Sequence, residues 1–398
     1  TNTTIDHGSQ YVYGSASGTT MNGFQTVYSG GRVDNTTING GLQDVYGSAT
    51  GTTINSGGEQ YVNSGGSAIG TAISGGVQNV EGSATSTTIN SGTQNVSSGG
   101  SATSTTISGG TQWVLSGGSA SGTTISGGRQ HVESGGNAGN TTIYSGGFQS
   151  VRSGGSASGT TIQSSGVQGI SVGASATSTT IQSGGIQDVY GSATDTIINV
   201  GGEQYVNSSG GSATATGTTI NGGLQEVFRS GRASGTTIQS SGTQKEYGGG
   251  SATSTTISDG GLQVVFIGGS ASSTTINSGG IQGVDWGGSA TGTMINNGGI
   301  QEVYGSATGT TINSGGLQGL HSGGSATSTT INLSGKQYVE GNATSTTISG
   351  GGIQNVLSGG SASGTTISGG TQNVSRGGSA SGTTISGGTQ NVSRGGSA

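Results

Sequence analysis

The sequence predicts an all-β protein, a right-handed parallel β-helix (β-solenoid) of about 22 coils, with one coil per 18–19-residue repeat. Three observations predict it. A Gln recurs from Gln10, Gln25 and Gln43 through to Gln390, in 22 copies at a mean spacing of about 18 residues. Within each copy, apolar residues alternate with variable polar ones at the period of a strand. Between these short runs lie Ser-Gly-Gly segments, and the 398 residues include 91 Gly and no Pro. Gly, Ser and Thr at this density ordinarily mark linker or disorder, because too little apolar surface offsets the entropy of ordering. The strict period overturns that reading. A unit this short cannot hold a helix pair or a propeller blade, but it suits one turn of a solenoid.

In chain order, each unit opens on a small residue, Ala16, Ala49 or Ala68 and their equivalents, replaced only at Val33. A side chain that small suits a tight corner. Five residues later comes the Ile of a Thr-Thr-Ile triplet (Ile5, Ile38, Ile54), with Met21 the exception. The Thr two before that Ile is present in all 22 copies, so the two share the inward face of a strand. A Ser-Gly-Gly turn follows, where Gly tolerates positive φ and close backbone approach. Next comes the Gln and, two residues on, an aliphatic side chain: Val12, Val27, Val45, with Ile170 and Leu320 as variants and Glu246 as the breach. These form a second inward pair. A Gln facing inward in every coil predicts a hydrogen-bonded ladder capping turn backbones. Each buried Ile or Val contributes roughly 1.5–3 kcal/mol, too little for a lone coil against its ordering entropy, so coils fold only by stacking. With strands about 4.8 Å apart, 22 coils extend roughly 105 Å. Residues 1–398 are expected to form a single β-solenoid repeat domain.

Composition and motifs narrow the chemistry. A net charge of −6 without clustered Lys and Arg excludes a nucleic-acid partner. With no Cys there is neither a disulfide framework nor a thiolate metal site. The longest apolar runs, such as Val264-Val265-Phe266-Ile267, are too short to span a bilayer, so this region is not membrane-inserted. The opening Thr-Asn-Thr-Thr-Ile lacks the basic and apolar regions of a signal peptide. His7, His131 and His321 are too far apart in sequence to share neighbouring coils, so a metal site or triad has no imidazole partner. Acids scatter (Asp44, Glu59, Glu81, Glu133, Asp188, Glu203) instead of clustering as in polysaccharide lyases. Neither a calcium-binding Gly-Gly-x-Gly-x-Asp nonapeptide nor a phosphate loop recurs. Lys245 beside Glu246 is the one place where charges are expected to meet at an inward position, a local distortion of the coil. No catalytic, cofactor or metal residue is assigned, and no enzyme is expected.

The outward positions carry more information. Ten of the 11 Tyr fall one residue after the Gln or one after the Val: Tyr11, Tyr13, Tyr28, Tyr46, Tyr61, Tyr190, Tyr205, Tyr247, Tyr304 and Tyr338. Trp113, His131, Phe228, Phe266 and His321 share those columns. An exposed aromatic stripe on one side of the solenoid is a candidate partner-binding face; the other reading is that cross-coil stacking stabilises an exposed sheet.

The repeat, typified by Thr-Gln-Asn-Val-Ser-Ser-Gly-Gly-Ser-Ala-Thr-Ser-Thr-Thr-Ile (residues 93–107), resembles the repeats of AIDA-type autotransporter adhesins along essentially the whole chain. That resemblance implies a passenger domain on the outer surface of a Gram-negative bacterium, held at the outer membrane by a C-terminal translocator barrel that these residues do not include. It implies adherence to host cells, self-association and biofilm formation. The partners implied are host-cell receptors or glycans, further copies of the chain and a modifying heptosyltransferase that places heptose on repeat serines. The matching positions are Ser56, Ser74, Ser108, Ser126, Ser145, Ser183, Ser278, Ser314, Ser368 and Ser386. The alternative function is an ice- or surface-binding solenoid, because the Thr just before the Ile faces outward in all copies except those with Ala72, Ile197 and Met294. Its neighbouring outward column mixes Asn, Ser, Gln and Tyr, which spoils a regular two-column face.

Overall fold

The structure, a computed structural model, describes residues 2–208 and 210–398. The described residues contain strands, turns and bends but no helix. The repeats form a parallel β-solenoid of about 22 turns, divided into two compact units, Thr1–Thr194 and Asp195–Ala398. Each unit is built the same way.

One coil of the first unit shows the plan. An Ile strand, Thr106–Ile107, leads through Ser108-Gly109-Gly110 into a Gln strand, Thr111–Val114. A second Gly-Gly turn leads into an Ala strand, Ser119–Ser121, and the next Ile strand starts at Thr124. Within each unit, strands pair in parallel with their counterparts one coil on: in the first, Ile107 lies opposite Ile125, Gln112 opposite Gln130 and Ala120 opposite Ala138. The second unit repeats this register, with Ile257 opposite Ile276, Gln263 opposite Gln282 and Ala271 opposite Ala290. Identical residues therefore stack in columns. In this coil the turn before the Ala strand is close-packed: a Cβ on Gly118 would lie 2.2 Å from the Val96 carbonyl oxygen one coil below, while two other coils hold a buried Ala, Ala174 and Ala213, at the equivalent position.

The inward assignment holds. Ile107, Gln112 and Val114 have no exposed surface, while Ala102 and Thr105 retain 1%. Val and Ala columns pack into one apolar seam, as in Val132, Ala138, Val151 and Ala157 of the first unit. Two expectations need correcting. The Ala is the centre of a three-residue strand, not a corner. The corner lies two residues later, where Ser104, Gly122 and Asn140 take φ of 56°, 64° and 51°. Only residues that tolerate the left-handed region fit there.

The Gln ladder is present, but its partners are side chains rather than turn backbones. Gln112 Nε2 donates to Gln94 Oε1 at 2.7 Å, and Gln130 Nε2 donates to Gln112 Oε1 at 2.6 Å. The inward Thr123 hydroxyl donates to Gln112 Oε1 at 3.3 Å and accepts from Gln130 Nε2 at 3.1 Å. The amides thus relay from coil to coil, and the buried polar column is hydrogen-bonded within itself except at the Thr329 hydroxyl.

Candidate partner-binding face and modification turns

Because Gln and Val point inward, the residues just before and after the Gln are forced onto the outer face. The column before the Gln, which the sequence reading passed over, is aliphatic or aromatic in about half of the coils: Phe148, Val167 and Ile186 in the first unit, Leu262, Ile281 and Ile300 in the second. Its signal was an apolar residue recurring directly before the Gln. Most of these side chains are half-buried by their neighbours along the column.

The column after the Gln and the column after the Val adjoin, as expected, and their aromatics meet across coils. Tyr13 stacks on Tyr28 at 4.4 Å, and Tyr11 tilts towards the same ring at 6.4 Å. Trp113 stacks on His131 at 4.3 Å, and the Arg152 guanidinium lies 5.0 Å above the Trp113 ring while pairing with Glu133 at 2.6 Å. Tyr304 stacks on His321 at 4.1 Å. Tyr13 is 69% exposed and Tyr11 61%, Tyr46, Tyr61 and Tyr304 are also exposed, and Tyr28, Trp113, Tyr190, Tyr205 and Tyr338 are half-buried. The stripe is thus both stacked and open to solvent. The column after the Val mostly starts a turn; it joins the strand at Phe228 and Tyr247, which stack at 5.4 Å.

Charges collect at three places on this face. His131 is half-buried, and burial, with Arg152 and Arg129 nearby, lowers its pKa. Glu226 accepts from the Tyr247 hydroxyl and lies 3.4 Å from Lys245, while burial, then that hydrogen bond, raises the Tyr247 pKa. His321 Nε2 lies 2.6 Å from Glu302, in space left by Gly319, where a Cβ would sit 2.4 Å from the Glu302 carboxylate. The expected meeting of Lys245 with Glu246 does not occur. Lys245 faces out to Glu226, whereas Glu246 is fully buried and its pKa is pushed up to about 8 by desolvation. Asp188, on the outer face, has its pKa raised by burial. No group of three or more His, Cys, Asp or Glu among the described residues is arranged to hold a metal ion.

All ten candidate serines are exposed. Seven lie in turns or bends between the Ile and Gln strands. Ser74, Ser368 and Ser386 do not: they lie within nine-residue strands, Ala72–Val80, Thr366–Val374 and Thr384–Val392, that run straight through the expected turn. The inward Thr105, Thr123 and Thr141 are each 1% exposed.

Comparison with known proteins agrees with this architecture. Residues 126–166 match the family described as "Adhesin of bacterial autotransporter system, probable stalk". No curated protein sequence matches the chain. Among solved structures, the TibC-catalysed hyperglycosylated TibA55-350 fragment is 40% identical, covers 79% of this chain and 100% of its own, and superposes with a TM-score of 0.51. A PL6-family alginate lyase, AlyGC, spans 100% of this chain and 96% of its own at 8% identity, but its TM-score of 0.20 carries no structural weight. The stacked Gln–Val and Thr–Ile coils, together with that identity over the whole of the TibA fragment, place the chain in the AIDA-type family of bacterial autotransporter adhesins, as a passenger region of the cell surface.

Proposed function

We propose that this chain mediates adherence to host cells and cell–cell self-association, that its turn serines carry heptose, and that a C-terminal barrel anchors it in the outer membrane. The repeat continues without a change of pattern through residues 1–398, which supports reading it as one passenger domain. The observation that carries the functional reading is the outer face of the Gln strands, where exposed Tyr and charged side chains line adjoining columns above a hydrogen-bonded Gln ladder. Such a face presents large, rigid contact groups at low cost in side-chain entropy. Partners on this reading are host-cell receptors or glycans, further copies of the chain, and a heptosyltransferase.

The relative whose title records hyperglycosylation by TibC is 40% identical, which supports sugar on this chain too. Exposed Ser108 and Ser126, both in open bends, recur one coil apart, so one enzyme could read each with the same geometry. Hydrated sugars along that edge would also oppose sideways pairing between exposed sheets. Cells displaying the chain, with and without a co-expressed heptosyltransferase, test the proposal by attachment to cultured epithelial cells, settling rate and intact mass. Attachment no better than that of non-displaying cells, with no faster settling, would defeat the adhesin reading. An unchanged mass after co-expression would remove the sugar.

A further inference from the structure

The geometry points to a binding site for an acidic saccharide in the trough beside Arg129. Two successive Ser-Gly-Gly segments, 108–110 and 126–128, form open bends, and the third, 145–147, closes as a turn through a bond from the Gly147 amide to the Tyr144 carbonyl. The bends leave an open concavity of about 500 Å³, floored by glycines 109, 110, 127, 128 and 146 and walled by Thr111, Arg129 and Phe148.

Three features of this trough suit the same ligand. The amides of Gly109, Gly110, Gly127 and Gly128, four of the residues that floor it, have no hydrogen-bond acceptor among the described residues. Unpaired amides in a concave turn are a setting for an anion. The Arg129 guanidinium is exposed and has no ion-pair partner among the described residues, unlike Arg152, which is held by Glu133. Only three Arg and no Lys lie in residues 1–194 of this acidic chain, so a free guanidinium beside free amides is a local exception to its charge. Phe148, one coil above Arg129 in the same column, adds an apolar ring wall. A planar carboxylate fits the fork of Arg129, and the flat face of a pyranose ring fits Phe148. The trough crosses three coils, about 10 Å at the usual strand spacing, which accommodates two sugar rings. A free phosphate would use the donors and leave the ring wall empty.

This assignment rests on the adhesin reading only for its biological partner; the binding itself is a property of the purified chain. The experiment titrates the unmodified full chain with a trimer of galacturonic acid, with the carboxyl-reduced neutral trimer, and with inorganic phosphate. Calorimetry and amide NMR shifts report the binding. The acidic trimer is expected to bind saturably and shift the amides of Gly109, Gly110, Gly127 and Gly128. Its affinity should fall about tenfold or more in Arg129→Gln and in Phe148→Ser, and stay unchanged in Arg229→Gln, which alters a guanidinium lying over the Phe228 ring in the second unit. The exposed Arg129 side chain can be replaced without touching the core, and circular dichroism verifies the fold of each variant. No saturable binding, equal affinity in Arg129→Gln, or phosphate or the neutral trimer binding as tightly as the acidic one would each overturn the assignment. Cells displaying the chain that still adhere in that event would leave the adhesin reading standing.

Discussion

Glu246 occupies the interior position that other coils fill with Val, Ile or Leu, and its surroundings are Val227 and Val265 on the paired strands, with Gln244 and Gln263. Gln263 Nε2 donates to its Oε1 at 3.1 Å, while Oε2 has no partner. The nearby charges, Lys245 and Glu226, lie on the opposite face of the sheet. The carboxyl is therefore neutral in the fold at pH 7, with its pKa about 8 against an ordinary 4.5. Because the folded pKa is the higher one, stability is greatest below pH 4.5 and falls as pH rises towards 8, where the unfolded chain has ionised and the folded one has not. The full loss is on the order of 5 kcal/mol. Glu246→Gln should match the parent near pH 4 and exceed it increasingly up to pH 8 in amide-exchange protection of that coil; parallel pH profiles would show that the carboxyl is not buried. At the ladder, Gln112→Leu strips a donor from Gln94 and an acceptor from Gln130, and should cost about 1–3 kcal/mol. A denaturant melt with an unchanged midpoint would mean the ladder is redundant.

At the scale of strands and turns, the strand faces were legible because alternation is strict: Gln112 and Val114 share one face, and Trp113 is forced to the other. Val189→Asp should therefore put an unpaired charge in the core, cost roughly 3–5 kcal/mol and expose the coil to protease; wild-type protease resistance would reverse the face assignment. Other features were not legible. Ala is small enough for a corner or for a narrow strand, and the discriminating signal lay two residues on, in the Ser, Gly or Asn of the left-handed position. The same Ser-Gly-Gly tripeptide is strand at 74–76, an open bend at 126–128 and a closed turn at 145–147. Local sequence cannot separate these states, because the deciding contacts are with the adjacent coils. Hence the trough beside Arg129 and the strand settings of Ser74, Ser368 and Ser386 emerge only from three dimensions. The pairing of Glu302 with His321 needed the same information, since the vacancy at Gly319 matters only once coils are stacked.

For the whole molecule, the repeat divides labour between an interior that differs little from coil to coil and a surface that differs in nearly every one. The interior columns set the fold through inter-coil packing, so surface substitutions are expected to leave the β circular-dichroism signal intact. Sugar should follow the same division. With the heptosyltransferase present, peptide mapping should find heptose on exposed turn serines such as Ser108 and Ser126, and none on buried Thr105, Thr123 or Thr141. Modification of those threonines in folded protein would contradict their inward placement. The central claim, that the outward aromatic columns are the recognition face of an adhesin, is tested most directly by replacing Tyr13, Tyr28 and Tyr46 together with Ser, displaying the variant at equal density with the parent, and counting attached and aggregated cells. Adherence or aggregation should fall severalfold with circular dichroism unchanged. Undiminished attachment and aggregation by a folded variant would show that this stretch only stabilises the sheet.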